Sequence, residues 1–196
     1  MSFSTILSAA IDGLKVESIH VEADVSNGLP VFHMVGYLAS EVKEAGERVR
    51  TAIRNSGFEY PAKRTVINLS PATIRKKGAS FDLPIAAAIL TSLGQIPSES
   101  VKDCLIIGEL SLNGQVRKVP GILPIVMEAS QSGITRCIVP KDNETEGRLV
   151  SGMRVAGVRS LHEAVTLLQG GQIPEERRGT DGETVGGHGE TDAEDE

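Results

Sequence analysis

Residues 61–84, PAKRTVINLSPATIRKKGASFDLP, hold a strand, a basic loop and the start of a buried helix within one short stretch. Thr65–Leu69 alternates apolar and polar residues at the period of a strand. Ser70–Ala79 is a loop by its Ser, Pro and Gly content. Asp82 then stands where a helix N-cap is expected, with Pro84 in the first turn. The continuation, LPIAAAILTSL (83–93), is apolar nearly all round, which predicts a central helix buried on every side.

Working outward, Glu17–Val25 sets Ile19, Val21, Ala23 and Val25 against Ser18, His20, Glu22 and Asp24, a strand with one wet face. Ser26-Asn27-Gly28 reads as a turn from which Val31–Val35 returns as a second strand. Ser40 is expected to cap a helix with the stripe Val42, Ala45, Val49, Ala52 and Ile53, ended by Gly57. Downstream, Cys104–Leu110 is a strand, and Asn113-Gly114 is a strong hairpin signal. A helix follows over 121–131, stopped near Gly133, then strands over Thr135–Val139 and Arg154–Val158. Ser160 and Glu163 form a capping box opening a last helix that ends at Gly170. The sum is a mixed α/β (α+β) chain, a mixed sheet with packed helices, in one domain over 1–170.

The composition narrows the function. No run of about 18 apolar residues exists, so no membrane span is expected, and the N-terminus lacks a signal-peptide pattern. A cytoplasmic protein is expected, with Cys104 and Cys137 reduced and buried in strands. The net charge of −6 is uneven: residues 171–196 carry nine acids and two arginines, leaving residues 1–170 at +1. That tail has almost no large apolar residue and reads as a disordered acidic tail or linker.

Three chemistries bear on these residues: nucleotide hydrolysis, metal binding and phosphate contact. No Gly-x-x-x-x-Gly-Lys-Ser/Thr loop exists, and Lys77-Gly78 has the order reversed, so no ATP hydrolysis by this chain is expected. His20, His33, His162 and His188 stand singly, without metal-ligand spacing, so no metal site and no cofactor is expected. The basic set Lys63, Arg64, Arg75, Lys76 and Lys77 has two readings. Its last three, Arg75, Lys76 and Lys77, form an exposed run before a helix N-terminus, which suits phosphate, of nucleic acid or nucleotide; as a solvated charge run the set balances nearby acids. Lys43, Arg48, Arg50 and Arg54 share a helix, with Glu44 and Arg48 spaced for an ion pair and Arg50 and Arg54 for a like-charged patch.

The stretches GLPVFHMVGYLASEVKEAGERVRTAIRNSGFEYPAKRTVINLSPATIRKKGASFDLPIAAAIL and IIGELSLNGQVRKVPGILPIV resemble the N-terminal domain of ComM/YifB proteins. The resemblance covers nearly all of residues 1–170. It implies a domain that works beside an AAA+ module related to the magnesium chelatase ATPase, in a ring oligomer. The implied work is ATP-driven branch migration on DNA in recombination and natural transformation. The implied fold is that shared by Lon peptidase and the second domain of ribosomal small-subunit protein five. Lon peptidases use a Ser nucleophile activated by a Lys. Ser80 in Gly78-Ala79-Ser80 matches the nucleophile, but the lysine position is Leu123, and Lys118 is displaced by five residues. The resemblance therefore implies a vestigial Ser80 and no catalysis here, with a Lon-like peptidase or a purely structural domain as alternatives.

Overall fold

The computed structural model describes residues 3–171. Strands β1 (Phe3–Asp12), β2 (Lys15–Ser26), β3 (Phe32–Val35), β4 (Arg64–Ser70), β5 (Cys104–Ile106), β8 (Arg136–Pro140) and β9 (Arg154–Val158) form one sheet in the order β3-β4-β2-β1-β5-β8-β9. β1, β2 and β4 pair antiparallel, whereas β3–β4, β1–β5, β5–β8 and β8–β9 are parallel. β6 (Glu109–Leu110) and β7 (Val116–Arg117) make a separate small hairpin. The described residues also hold six α-helices, α1 (Ser40–Lys43), α2 (Ala45–Asn55), α3 (Asp82–Ser92), α4 (Ile122–Gln131), α5 (Glu144–Gly147) and α6 (Leu161–Leu168), and two short 3-10 turns, Ser98–Val101 and Lys141–Asn143. None is long and apolar enough to cross a membrane.

Period-two alternation sorts the strands between two cores. On one face Ile6, Cys104, Ile106 and Ile138 pack with α2, α3 and α6. On the other, Ala9, Leu105, Ile107, Cys137 and Val139 pack against Ile122, Ile125, Val126 and Ala129 of α4. Every residue of α3 is buried, as its all-round apolar sequence predicts. Its hydroxyl members find backbone partners, Ser92 donating to Ala23 O at 3.0 Å and Thr91 to Ala87 O at 2.7 Å, and Ser4 of β1 donates to Ala88 O of the helix at 2.6 Å.

Several expectations change. β1 precedes the first strand read from the sequence. β3 does not return against β2, because β1 and β4 already occupy both edges of β2; it pairs with β4 instead. The helix with the Val42–Ile53 stripe breaks at Glu44 into α1 and α2, and Ala39, not Ser40, holds the cap position of α1. Cys104–Leu110 divides into β5 and β6 at Gly108, whose N–H donates to Ser80 O and whose C=O accepts from Leu83 N, both at 2.9 Å. A Cβ there would lie 3.0 Å from Val116 and 3.1 Å from Leu83, so glycine permits this close approach to α3. The hairpin at Asn113-Gly114, the stops at Gly57 and Gly133, and the Ser160 cap, which accepts from Glu163 N at 3.1 Å, hold as read. Glu163 reaches back to Arg159 N rather than to Ser160 N. The acidic stretch 172–196, with His188, lies outside the described residues.

Candidate functional site: a basic loop and its cleft

The loop after β4 is less free than its composition suggests. Lys76 forms a parallel bridge with Leu38. Its N–H donates to Tyr37 O, and its C=O accepts from Ala39 N, each at 2.9 Å. Gly78 N–H donates to the Glu41 carboxylate at 2.9 Å. That bond, with Arg75 and Lys77 nearby, holds the Glu41 pKa below the usual carboxylate range. The loop is thus tied to residues 37–41 at three points.

Extended backbone sends successive side chains to opposite sides. Arg75 and Lys77 therefore face out, while Lys76 turns in and is fully buried. This corrects the reading of an exposed three-residue run. The Lys76 ammonium donates to Pro71 O, and burial lowers its pKa. Lys63 and Arg64 do not join the group either. They lie at the start of β4, whose seven residues separate them from the loop by about 20 Å.

Arg75 and Lys77 line a cleft of about 180 Å³ with Ser80, Glu109, Ala9 and Val119. Ser80 is half-buried, its carbonyl fixed by Gly108. Neither Leu123, in the first turn of α4, nor Lys118, exposed just past β7, lines this cleft. Glu109 was not singled out from the sequence, since nothing in Gly-Glu-Leu distinguishes it from a solvated acid.

Asp82 is not a cap. Phe81 occupies the cap position without a side-chain bond, and the Asp82 carboxylate turns across to α2. It accepts from Arg48 Nε at 2.9 Å, Arg48 Nη2 at 3.0 Å and Leu110 N–H at 3.2 Å. Burial pushes the Asp82 pKa up, outweighing the Arg48 guanidinium, which opposes it. Arg48 is thereby taken from Glu44, and it also donates to Glu41 O at 2.8 Å. One pair thus locks α2, α3 and β6 around the base of the loop. Arg50 lies 5.1 Å over the Phe32 ring and pairs with Glu47, and Arg54 lies 5.4 Å over Tyr60. These two cover aromatic rings rather than forming a joint patch.

Cys104 and Cys137 are both free and buried. Burial raises their thiols to about 11 and about 12. Among the described residues no group of three His, Cys, Asp or Glu side chains is placed to hold a metal ion.

The sequence model of the family described as "Subunit ChlI of Mg-chelatase" matches residues 21–143, more than half of the chain. The chain belongs to this family. It is 41% identical over 181 residues to the uncharacterized protein YifB of Escherichia coli, covering 92% of this chain and 36% of that protein. To the competence protein ComM of Haemophilus influenzae it is 39% identical over 170 residues, covering 87% and 33%. Lon protease 2 of Bacillus subtilis is more distant, 29% identical over 127 residues, covering 64% and 22%. The chain spans about a third of the length of YifB and ComM. The β4–loop–α3 unit and the Arg48–Asp82 pair fall inside the family match, whereas Ala9 of the cleft lies before it.

Proposed function

We propose that this chain is a non-catalytic assembly and DNA-contact domain of the ComM/YifB type. It works in the cytoplasm with an AAA+ module that supplies ATP hydrolysis, in a ring acting on DNA during recombination or natural transformation. The observation that carries the DNA contact is the pinned loop presenting Arg75 and Lys77 at a cleft. A loop held by backbone bonds loses little further entropy when its cations meet phosphate. The competence-protein name of one relative supports the process.

The test is fluorescence anisotropy of labelled single-stranded and forked DNA, titrated with the full chain at two salt concentrations. Arg75→Ala/Lys77→Ala should flatten the logarithmic salt dependence by about 1.4 on single strands, since each phosphate contact contributes about 0.7. An unchanged salt dependence removes the loop from the DNA path. No binding at low salt leaves the domain a subunit-contact role.

Ser80 in the cleft, together with the Lon similarity, favours a second reading, a Lon-type serine peptidase. A serine without a nearby base stays protonated and weak. Fluorophosphonate labelling that is lost in Ser80→Ala would establish that reading, and absence of labelling would end it.

A further inference from the structure

Residues 25–40, VSNGLPVFHMVGYLAS, carry no Asp, Glu, Lys or Arg. They include β3, the strand that ends the sheet. Edge strands of monomeric proteins are commonly blunted by charges, above all lysine, and this one is not. Thr65 N–H of β4 donates to Val31 O at 2.8 Å, and Phe32 and Met34 are the register partners of Thr65 and Ile67. In a parallel pair a residue bonds the two that flank its partner. Val31, His33 and Val35 therefore turn their backbone groups toward β4, and Phe32 and Met34 turn theirs outward. Among the described residues no hydrogen bond meets the backbone of Phe32 or Met34 on that outer side.

The side chains alternate with the backbone. Phe32 and Met34 are half-buried on the α2 face, Phe32 against Gly46. Val31, His33 and Val35 lie on the opposite face, in register with Val66 and Asn68 of β4, where α4 packs over the other half of the sheet. Four large apolar side chains are exposed along this edge, Leu29 at 79%, Val31 at 37%, Val35 at 50% and Tyr37 at 54%. They are placed symmetrically about His33, with Val31 and Val35 two residues away on either side and Leu29 and Tyr37 four. Val31-Phe32-His33-Met34-Val35 is thus self-complementary in kind when it is laid antiparallel on itself.

We propose that β3 pairs antiparallel with β3 of a second copy, across a two-fold axis at His33. Each Phe32 then exchanges both backbone bonds with Met34 of the second copy, four bonds in all. On the open face Val31 meets Val35 of the second copy, and the two His33 side chains form the close, non-hydrogen-bonded pair on the axis. A neutral imidazole has one donor and one acceptor, so two of them can bond each other. On the α2 face Phe32 meets Met34 of the second copy, a sulfur–aromatic contact. A shift of two residues would set His33 against a valine and lose this match, which fixes the register. The contact joins like surfaces and closes at two chains, whereas a ring joins unlike surfaces. It is additional to the contacts of the ring proposed above and does not depend on DNA.

The test is sedimentation velocity of the full chain from about 10 µM to about 1 mM, the range suited to a small, transient contact. Single chains should give way to pairs. His33→Lys and His33→Glu alter an exposed side chain, and each sets like charges directly opposite each other on the axis, so each alone should weaken pairing about fivefold. An equimolar mixture of the two variants should pair at least as tightly as the wild type, because opposite charges then face each other. That recovery also shows that neither variant has lost its fold. A chain that stays single at about 1 mM overturns the proposal. So does association that both variants leave intact, weakening that the mixture fails to reverse, or growth beyond two chains.

Discussion

Replacing Arg48 by methionine keeps much of the apolar stem of the side chain and strips two guanidinium bonds, of 2.9 and 3.0 Å, from the Asp82 carboxylate. The Asp82 side chain has no exposure, and Arg48 has 23%. Breaking a buried pair from one side costs about 3–5 kcal/mol, because the remaining charge is left without its partner. The partial exposure of Arg48 and the surviving bond from Leu110 N–H place Arg48→Met at the lower end, about 3 kcal/mol. For a body of this size that is about 6–12 °C in Tm.

The pH dependence has a definite sign. Asp82 already sits above its ordinary 3.8 because burial outweighs Arg48. A raised carboxyl contributes stability that is present below the unfolded value and is lost as pH climbs through the folded value. Removing Arg48 raises Asp82 further, so the variant escapes part of its cost by protonation in acid. Thermal melts followed by circular dichroism at about pH 5 and about pH 7.5 should show the larger deficit at the higher pH. The double variant Arg48→Met/Asp82→Asn should recover at least half of that deficit, since no charge is left buried. A loss under about 1 kcal/mol, an equal loss at both pH values, or no recovery in the double variant would refute a buried ionic lock between α2 and α3.

Two further substitutions test the same structure. Lys76→Met removes a buried ammonium whose pKa is lowered by burial. The unfolded chain binds that proton more tightly, so the wild type should gain stability as pH rises toward the ordinary 10.5 of lysine, and the variant should not; its Tm at neutral pH should be equal or higher, by calorimetry. Asn143→Ala deletes a buried amide that accepts from Val119 N at 3.0 Å and donates to Val119 O at 2.9 Å. It should lose about 2–3 kcal/mol in urea unfolding, and a loss under about 0.5 would show that water replaces both bonds.

What could be read from the sequence depended on how local each determinant is. β2 shows its alternation because one face is wet, and α3 shows its burial because every position is apolar or small. β1 hides its period because both faces are covered near the α4 side and two of its inward positions are serines. Ser4 is tolerated there by a bond to Ala88 O, 84 residues away. The Asp82 cap and the Glu44–Arg48 pair failed for a common reason. Each was a local rule applied to a side chain whose better partner came from a distant element. The pairing of β3 failed likewise, because a turn signal fixes where a strand ends and not which edge it joins.

The candidate site shows the same division. Sequence reading offers this segment as a candidate, and the family match covers it, yet counting cations overstates what the loop presents. A bridge to Leu38 turns Lys76 inward. The length of β4 removes Lys63 and Arg64, Asp82 takes Arg48, and Phe32 and Tyr60 take Arg50 and Arg54. Of those basic residues, Arg75 and Lys77 are the two that line the cleft. A DNA contact built on them neutralises two phosphates rather than five. It should therefore be weak for the isolated chain, and in the proposed ring it should gain from repetition.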